Sequence, residues 1–597
     1  MATSPYRGTF LLAGAAGLPL AYCPWFRDAY ETPKLILLAL CATLALLEAL
    51  CRRGETRAGS DLDLPLAAFT AAVLASAWGS IDPDLSWSGS EAYRVLGVPA
   101  WAACLSAFWL GCAAARERGP EFARRLISWT AAASVPVSVV ALIQLGSGGG
   151  RALATFGESN ALGTYLAMAL PLAVHAFRSG AGARRWGALA AAALAAGGLF
   201  AAASRGAWLA AALALLAYAA LSGKRRTAAV SRAFRWTPWR CLVLGSLMLA
   251  GAGGTARVIV LRGTGPRQSD SSRLLLWRIA AQGAREPRLL GSGPATFSIR
   301  LRRLRSEALG RLSRSKSGAE WIFGHAHNDW FEVLATLGAA GLLAYLWLHA
   351  AALRRLRLLA SQDPDWRSGS GPPLAAALLA VFIQAKFNIP ALAVAWFACL
   401  CAACLLCPAP GRPEAGAPAL RGGLLLLLAL SVLWTDAVAA RVAVAEASDR
   451  AGRKARGEGR AREAAVHFER ALAWRPGSVV YRYDLANLLW DAAAGAGAEE
   501  RRVLLERSVG SALAGLRRRP REAELQRLLG LSELRRAALA GEKDRLPFAR
   551  RAFDAALALD PFRPQLLRDA AETAALQGEE PARRGYAERL ERLASIY

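Results

Sequence analysis

His325-Ala326-His327-Asn328-Asp329-Trp330-Phe331-Glu332 leads directly into an apolar run from Val333 to Leu346. Two histidines, an amide and two acids thus crowd the mouth of a segment that, with its flanks, is long enough to cross a bilayer, which takes about 20 mostly apolar residues. Titratable chemistry sits at a membrane surface. The chain has only five histidines, and the others, His175, His349 and His467, are scattered, so no other stretch gathers as many proton-transfer groups. The plainer reading is a polar helix start anchored at the interface by Trp330.

Outward from this stretch the chain keeps the same character. With 597 residues, 54% of them hydrophobic, and a mean hydropathy of +0.27, it is too apolar for one soluble domain. Runs that reach or nearly reach spanning length begin near Phe10, Lys34, Leu64, Val95, Leu126, Asn160, Trp186, Gly206, Cys241, Asp329, Pro373, Ala391 and Gly422. The expected fold is therefore all-α, a polytopic transmembrane helical bundle of about 12–13 spans. No small-residue cleavage pattern follows the first run, so it reads as a retained helix.

Arginines and lysines cluster in alternate loops, at Arg52, Arg53 and Arg57, at Arg116 to Arg125, at Arg178 to Arg185, at Lys224 to Arg240 and at Arg354 to Arg367. These loops are expected in the cytoplasm. The opposite short loops hold Asp28, Glu31, Asp82, Asp84 and Glu91. On that orientation the polar stretch 262–328 and everything beyond about Ala440 lie outside, in the periplasm of a bacterium with two membranes. Much of the net charge of +28 is this loop bias, and no nucleic-acid partner is expected. The external stretch is nevertheless rich in arginine, including Arg262, Arg273, Arg278, Arg288, Arg300 and Arg302, which suits lipid phosphates or a phosphorylated substrate. The ten cysteines fall almost wholly in apolar runs and read as small packing residues, with no disulfide framework implied. Cys399, Cys401, Cys404 and Cys407 scatter around one helix, so no metal site is expected.

Taken in order, residues up to about Leu145 read as scaffold helices. Asn160 opens the sixth run, where it would cap the helix or bind a sugar hydroxyl. Ser204-Arg205-Gly206 sits at a reversal between two apolar runs; a cation there must reach water, a carboxylate or a phosphate. Ser271 to Ala280 mixes arginines with apolar residues, as suits a helix lying on the membrane surface. Gly291-Ser292-Gly293 is a glycine turn without the Lys-Ser/Thr of a nucleotide loop. Lys386, Asn388 and Pro390 mark an external junction between two later runs. Beyond about residue 440 the chain turns charged and Ala-rich, and three stretches ending at Pro476, Pro520 and Pro561 each carry a small residue five positions earlier: Ala471, Gly515 and Ala556. This resembles tetratricopeptide repeats, although the spacing exceeds their usual length. The expected division is a transmembrane domain over 1–440, including loop 262–328, and a helical repeat domain over 441–597, a surface for a protein partner.

His327-Asn328 is separated by the nine residues Asp329 to Leu337 from Gly338, with Gly341 beyond; with Ser204-Arg205-Gly206 and with Arg273, Trp277 and the Gly291-x-Gly293 turn, this resembles the O-antigen ligase and polymerase superfamily of bacterial membrane glycosyltransferases, over roughly Asn160 to Cys407. The resemblance implies transfer of a glycan from undecaprenyl diphosphate to an acceptor hydroxyl on a lipid or protein at the periplasmic face, with no cofactor and no metal. Departure of a lipid diphosphate develops negative charge that two fixed guanidiniums can bind, and Arg205 and Arg273 fit by position. His327 suits a general base, with His325, Asn328, Asp329 or Asn160 in support. A polymerase or a protein oligosaccharyltransferase of the same superfamily is the near alternative. A transporter is the distant one, and a membrane-anchored scaffold would need neither His327 nor so many spans.

Overall fold

The computed structural model describes residues 8–50, 61–89, 97–148, 150–222, 267–283, 289–304, 324–363, 365–407 and 418–595. Among the described residues there are 22 α-helices and no strand. The membrane bundle comprises α1 (Thr9–Gly17), α2 (Glu31–Leu50), α3 (Asp63–Trp78), the short α4 (Pro83–Ser88), α5 (Val98–Arg118), α6 (Pro120–Gly146), α7 (Ser159–Ser179), α8 (Gly182–Ala202) and α9 (Arg205–Ser222). After α10 (Arg267–Gly283) and α11 (Phe297–Leu304) it continues with α12 (Asp329–Gln362), α13 (Gly371–Gln384), α14 (Leu392–Leu406) and α15 (Pro418–Gly457). Eight of these helices are long and apolar enough to span a bilayer, and α3, α13 and α14 are shorter apolar helices. The chain is a multi-pass, all-α membrane protein. The run expected near Cys241, and the basic stretches within 51–60, 223–266 and 305–323, lie outside the described residues.

At the centre of the bundle stands α7, packed against α6, α8, α9 and α13. Its small and apolar residues Leu162, Leu166, Ala167, Met168, Ala169, Leu172 and Ala173 are fully buried. Small residues let neighbouring backbones approach closely, which is how helices associate where lipid offers no hydrophobic driving force. Gly206, at the start of α9, is one such position: a Cβ there would lie 2.5 Å from Oε1 of Gln384 on α13.

The helix following the histidine stretch is not continuous. α12 breaks at Gly338, whose φ of 71° and ψ of −168° are open to glycine alone. Into the break runs the loop that precedes α11. Ser292 N–H donates to Ala335 O (3.3 Å), Gly293 N–H to Thr336 O (2.9 Å) and Ala340 N–H to Leu289 O (3.3 Å). Arg300 (2.9 Å) and Ser292 Oγ (3.1 Å) also donate to Ala335 O, and Ser76 of α3 to Thr336 O (2.8 Å). A broken helix at membrane depth is tolerated only where protein groups satisfy its freed carbonyls, and here they do. The two glycine motifs of the sequence are thus one device.

α10 does not spend its apolar face on lipid alone. Leu276, Ile279 and Ala280 are buried against Phe297 and Leu301 of α11 and against Ala326 and Ala335, while Leu274 stays exposed. The surface-helix expectation is corrected to a helix clamped over the mouth of α12. The cysteine expectation is also corrected, since Cys112 and Cys407 form a disulfide with Cα atoms 5.5 Å apart. Two thiols 295 residues apart, each inside an apolar run, give no spacing pattern to read.

The boundary expected at 440 falls inside α15, which runs unbroken to Gly457 and carries the bundle into a helical array: α16 (Ala461–Trp474), α17 (Val479–Gly495), α18 (Ala498–Arg518), α19 (Ala523–Leu539), α20 (Leu546–Leu559), α21 (Pro564–Leu576) and α22 (Glu580–Ser595). Each packs against the next. The three similar stretches end α16, α18 and α20, and each end is closed in the same way: the N–H groups of Arg475, Arg519 and Asp560 return to the carbonyls of Ala471, Gly515 and Ala556.

The array is docked on the same end of the bundle as His327. Arg519 Nε donates to Asp82 Oδ2 (2.7 Å) and its Nη2 to Glu522 Oε2 (2.7 Å), while Arg302 pairs with the other oxygen of Glu522. Arg27 binds Asp449 (3.0 Å) and Asp484. Burial alone would push the Glu522 carboxyl up, but Arg302 and Arg519 hold it down at about 2.

At Gly338 a Cβ would lie 2.2 Å from Leu289 O. Gly338→Ala is expected to cost about 2–4 kcal/mol and to lower the melting temperature of the detergent-purified protein, whereas Ala339→Gly, one residue away, should not reproduce that loss. An unchanged melt for Gly338→Ala would count against the clamp.

Candidate active site

Five segments far apart in sequence meet at the N-terminal ends of α7, α9 and α12. The first is the loop before α7. Arg151 reaches across to Ala202 O with Nε (3.3 Å) and to Asn160 Oδ1 with Nη2 (3.2 Å), and Ala152 N–H donates to Ala201 O (3.0 Å). These contacts cap the end of α8, where Ala203 turns left-handed (φ 47°) to allow the reversal into Arg205. Ser204 Oγ donates to Asn160 Oδ1 (3.0 Å). Asn160 therefore neither caps α7 nor stands apart: it ties the Arg205 reversal to the loop, and its Nδ2 donates to Glu158 Oε1 (3.2 Å).

The histidine loop forms the second segment. Asn328 is the N-cap of α12, accepting from Trp330 N (2.9 Å) and Phe331 N (3.2 Å), and its amide donates to Lys386 O (3.2 Å). Asp329 is salt-bridged to Lys386 (2.5 Å) and accepts from Tyr345 Oη (2.8 Å). Glu332 accepts from Ala326 N (2.7 Å), and Trp277 Nε1 of α10 donates to Ala326 O (3.0 Å) while its ring stacks on Phe331. With both its backbone groups tied, Ala326 holds the flanking histidines. His327 is left-handed (φ 53°), a strained conformation for a residue with a side chain. His325 is buried, and its Nδ1 accepts from His327 N (3.2 Å).

His327 Nδ1 meets Asn388 Oδ1 at 3.0 Å, and Asn388 Nδ2 meets Glu158 Oε1 at 2.9 Å. One polar chain thus runs from His327 through Asn388, Glu158 and Asn160 to Ser204 and Arg151. The remaining segment is α10, one turn before Trp277: the charge of Arg273 acts on His327, His325 and Glu158, and that of Arg205 acts on Arg151. Burial first, and then Arg273, lowers the His327 pKa from 6.5 to about 4, against the hydrogen bond to Asn388. His325 is lowered well below the usual imidazole value by burial, then by His327 and Arg273. Burial raises Glu158, opposed by its amide partners and by Arg151 and Arg273. The ring of His327 is therefore neutral at neutral pH, beside guanidiniums that favour an anion.

Residues 190–346 match the family model described as O-Antigen ligase. Over that stretch the chain is similar to the O-antigen ligase family. That span holds Arg205, Arg273, Gly291, the histidine loop and Gly338, and is narrower than the stretch over which the sequence shows the resemblance. That similarity is to membrane enzymes of the ligase and polymerase type. No curated protein matches the chain.

Three members of the polar chain were missed as site residues: Arg151, Glu158 and Asn388. The first two lie upstream of the ligase-domain match and Asn388 lies after it; what they share in sequence is only a place in a short junction between apolar helices. Among the described residues no group of three or more His, Cys, Asp or Glu side chains is arranged to hold a metal ion.

Lys386→Met would leave the enclosed Asp329 carboxylate without its cation, at a cost of about 3 kcal/mol. The melting temperature should fall, and Asp329→Asn in the same chain should recover part of the loss.

Proposed function

We propose that the protein is an O-antigen ligase-like glycosyltransferase that moves a glycan from undecaprenyl diphosphate to an acceptor hydroxyl at the periplasmic face, with 1–440 as its catalytic membrane unit. The observation that carries this reading is the neutral His327 held beside Arg273 in a polar chain that ends at the Arg205 reversal. A neutral imidazole can take the proton of the attacking hydroxyl. Arg205 and Arg273 bind the diphosphate, whose negative charge grows as the glycosidic bond breaks; guanidiniums do this bidentately and need no change of protonation. Arg151 adds to the same positive field. His325 and the Asn328 cap hold the loop, and Asp329 anchors it through Lys386. Asn160 links the arginine side to the base side.

A lipid acceptor agrees with the ligase family, and a protein acceptor is the second reading, favoured by the repeat-like array docked over the same end through Arg519, Arg302 and Arg27. The array over 441–597 then serves as the surface that brings the acceptor or a partner protein.

His327→Ala is expected to lower transfer by 100-fold or more, about the contribution of a general base, with the protein still folded and still binding the lipid-linked donor. Arg205→Lys is expected to fail similarly, because an ammonium cannot reproduce bidentate contact. Transfer assayed with purified donor and acceptor decides; wild-type rates for His327→Ala would remove the base.

The free enzyme's His327 titrates at about 4 rather than 6.5, so the acid limb of kcat/KM should fall only as the pH approaches 4. A limb near 6.5 that vanishes in His327→Ala would place an ordinary, solvated imidazole there instead.

A further inference from the structure

We propose that Glu158 is a positioning residue: acting through the Asn388 amide, it holds His327 in the tautomer with hydrogen on Nδ1 and makes Nε2 the basic atom. The inference rests on His327 as the base and adds what determines which nitrogen does the work.

Which way each group donates follows from chemistry. A carboxylate only accepts, so the amide nitrogen of Asn388 faces Glu158 Oε1 at 2.9 Å. Its carbonyl oxygen then faces His327 Nδ1 at 3.0 Å, and a carbonyl also only accepts. Nδ1 must therefore carry the hydrogen. A neutral imidazole has only one, so the lone pair is on Nε2. Turning the amide round would set its oxygen against the carboxylate at 2.9 Å, two acceptors face to face, and Asn388 is 2% exposed, so water cannot relieve that clash.

Glu158 is fixed in turn. The same Oε1 accepts from Asn160 Nδ2 (3.2 Å), and Asn160 is itself oriented because its Oδ1 accepts from Ser204 Oγ (3.0 Å) and Arg151 Nη2 (3.2 Å). Two runs of hydrogen bonds thus converge on Glu158 Oε1, one donated from the turn carrying Arg205 through Asn160 and one from the histidine through Asn388. The neighbouring ring takes the opposite form: His325 Nδ1 accepts from His327 N (3.2 Å), so its hydrogen sits on Nε2. During transfer the acceptor's proton passes to Nε2 of His327 while the hydrogen on Nδ1 stays there, donated to Asn388 Oδ1. The imidazolium that results carries its charge toward the Asn388 dipole and Glu158. Buried second partners of this kind are worth about 10–100-fold in activity when they orient a ligand or base.

The test is the nitrogen spectrum of the full chain in nanodiscs, labelled with 15N-histidine, with the His327 signals identified as those lost in His327→Gln. Wild type is expected to show His327 neutral with hydrogen on Nδ1. Glu158→Gln, of nearly the same shape, can offer its own amide nitrogen to Asn388 Oδ1 and turn that amide round, so the Nε2-H form should appear and kcat should fall about 10–100-fold with KM unchanged. Adding Asn388→Asp supplies an acceptor whatever residue 158 does, and should restore both the Nδ1-H signal and most of kcat. Asn388→Ala should release the tautomer as well, and replaces Glu158→Gln where that variant does not fold. A wild-type Nε2-H ring, or a tautomer indifferent to both Glu158→Gln and Asn388→Ala, overturns the inference. If the tautomer follows the substitutions while no variant, wild type included, transfers a glycan, the positioning stands and the transferase reading fails.

Discussion

The structure depends on the backbone hydrogen bonds at the break in α12. A spanning helix that interrupts its own ladder leaves carbonyls that nothing in lipid can satisfy, each costing several kcal/mol. Here Ala335 and Thr336 present those carbonyls, and the Leu289–Gly293 loop, Arg300 and Ser76 meet them. Gly338 permits the turn, Gly291 lets a second backbone come close enough to pair with it, and Gly293 makes room for Ser80 and Ser86 beside the loop. Because the loop is held by the break, α10 and α11 are held too, and Arg273 and Trp277 come to rest over the mouth of α12. The histidine loop is thus fixed from both sides by the break in the helix that follows it.

On that platform the polar chain has few ways to rearrange. His327, Asn388, Glu158, Asn160 and Ser204 come from four segments, yet each has its partner's donor or acceptor facing it. Satisfied networks of this kind specify one arrangement, whereas a half-satisfied one costs more than an apolar core. The left-handed backbone at His327 is strain that the surroundings enforce: Trp277 and Glu332 grip Ala326, and Asn328 caps the helix just beyond. Strain of this kind persists only where the surrounding structure enforces it, as these contacts do.

The helical array is joined to the bundle by ion pairs rather than by a broad apolar seam. Glu522 lies buried between Arg302 and Arg519, and Arg519 also reaches Asp82, so removing any one partner strands a buried charge. Such pairs fix orientation as much as they stabilise. α15 makes the connection covalent and stiff, since it runs from the bundle into the array without a break.

Much of the fold was legible in the chain alone. Twenty-residue apolar runs need no tertiary information to be read as spans, because the bilayer sets their length, and the family resemblance rests on short motifs with fixed spacing. The matching ends at Pro476, Pro520 and Pro561 likewise declare a repeated helical hairpin. Tertiary structure alone decided the rest. Nothing along the sequence says that Gly291 belongs in the break at Gly338, that Asn328 caps while Asn388 holds the histidine, or that Cys112 meets Cys407. Spacing reports what a residue's own segment can do; a hydrogen bond between residues 230 positions apart, such as that of Asn388 and Glu158, exists only once packing has brought their segments together.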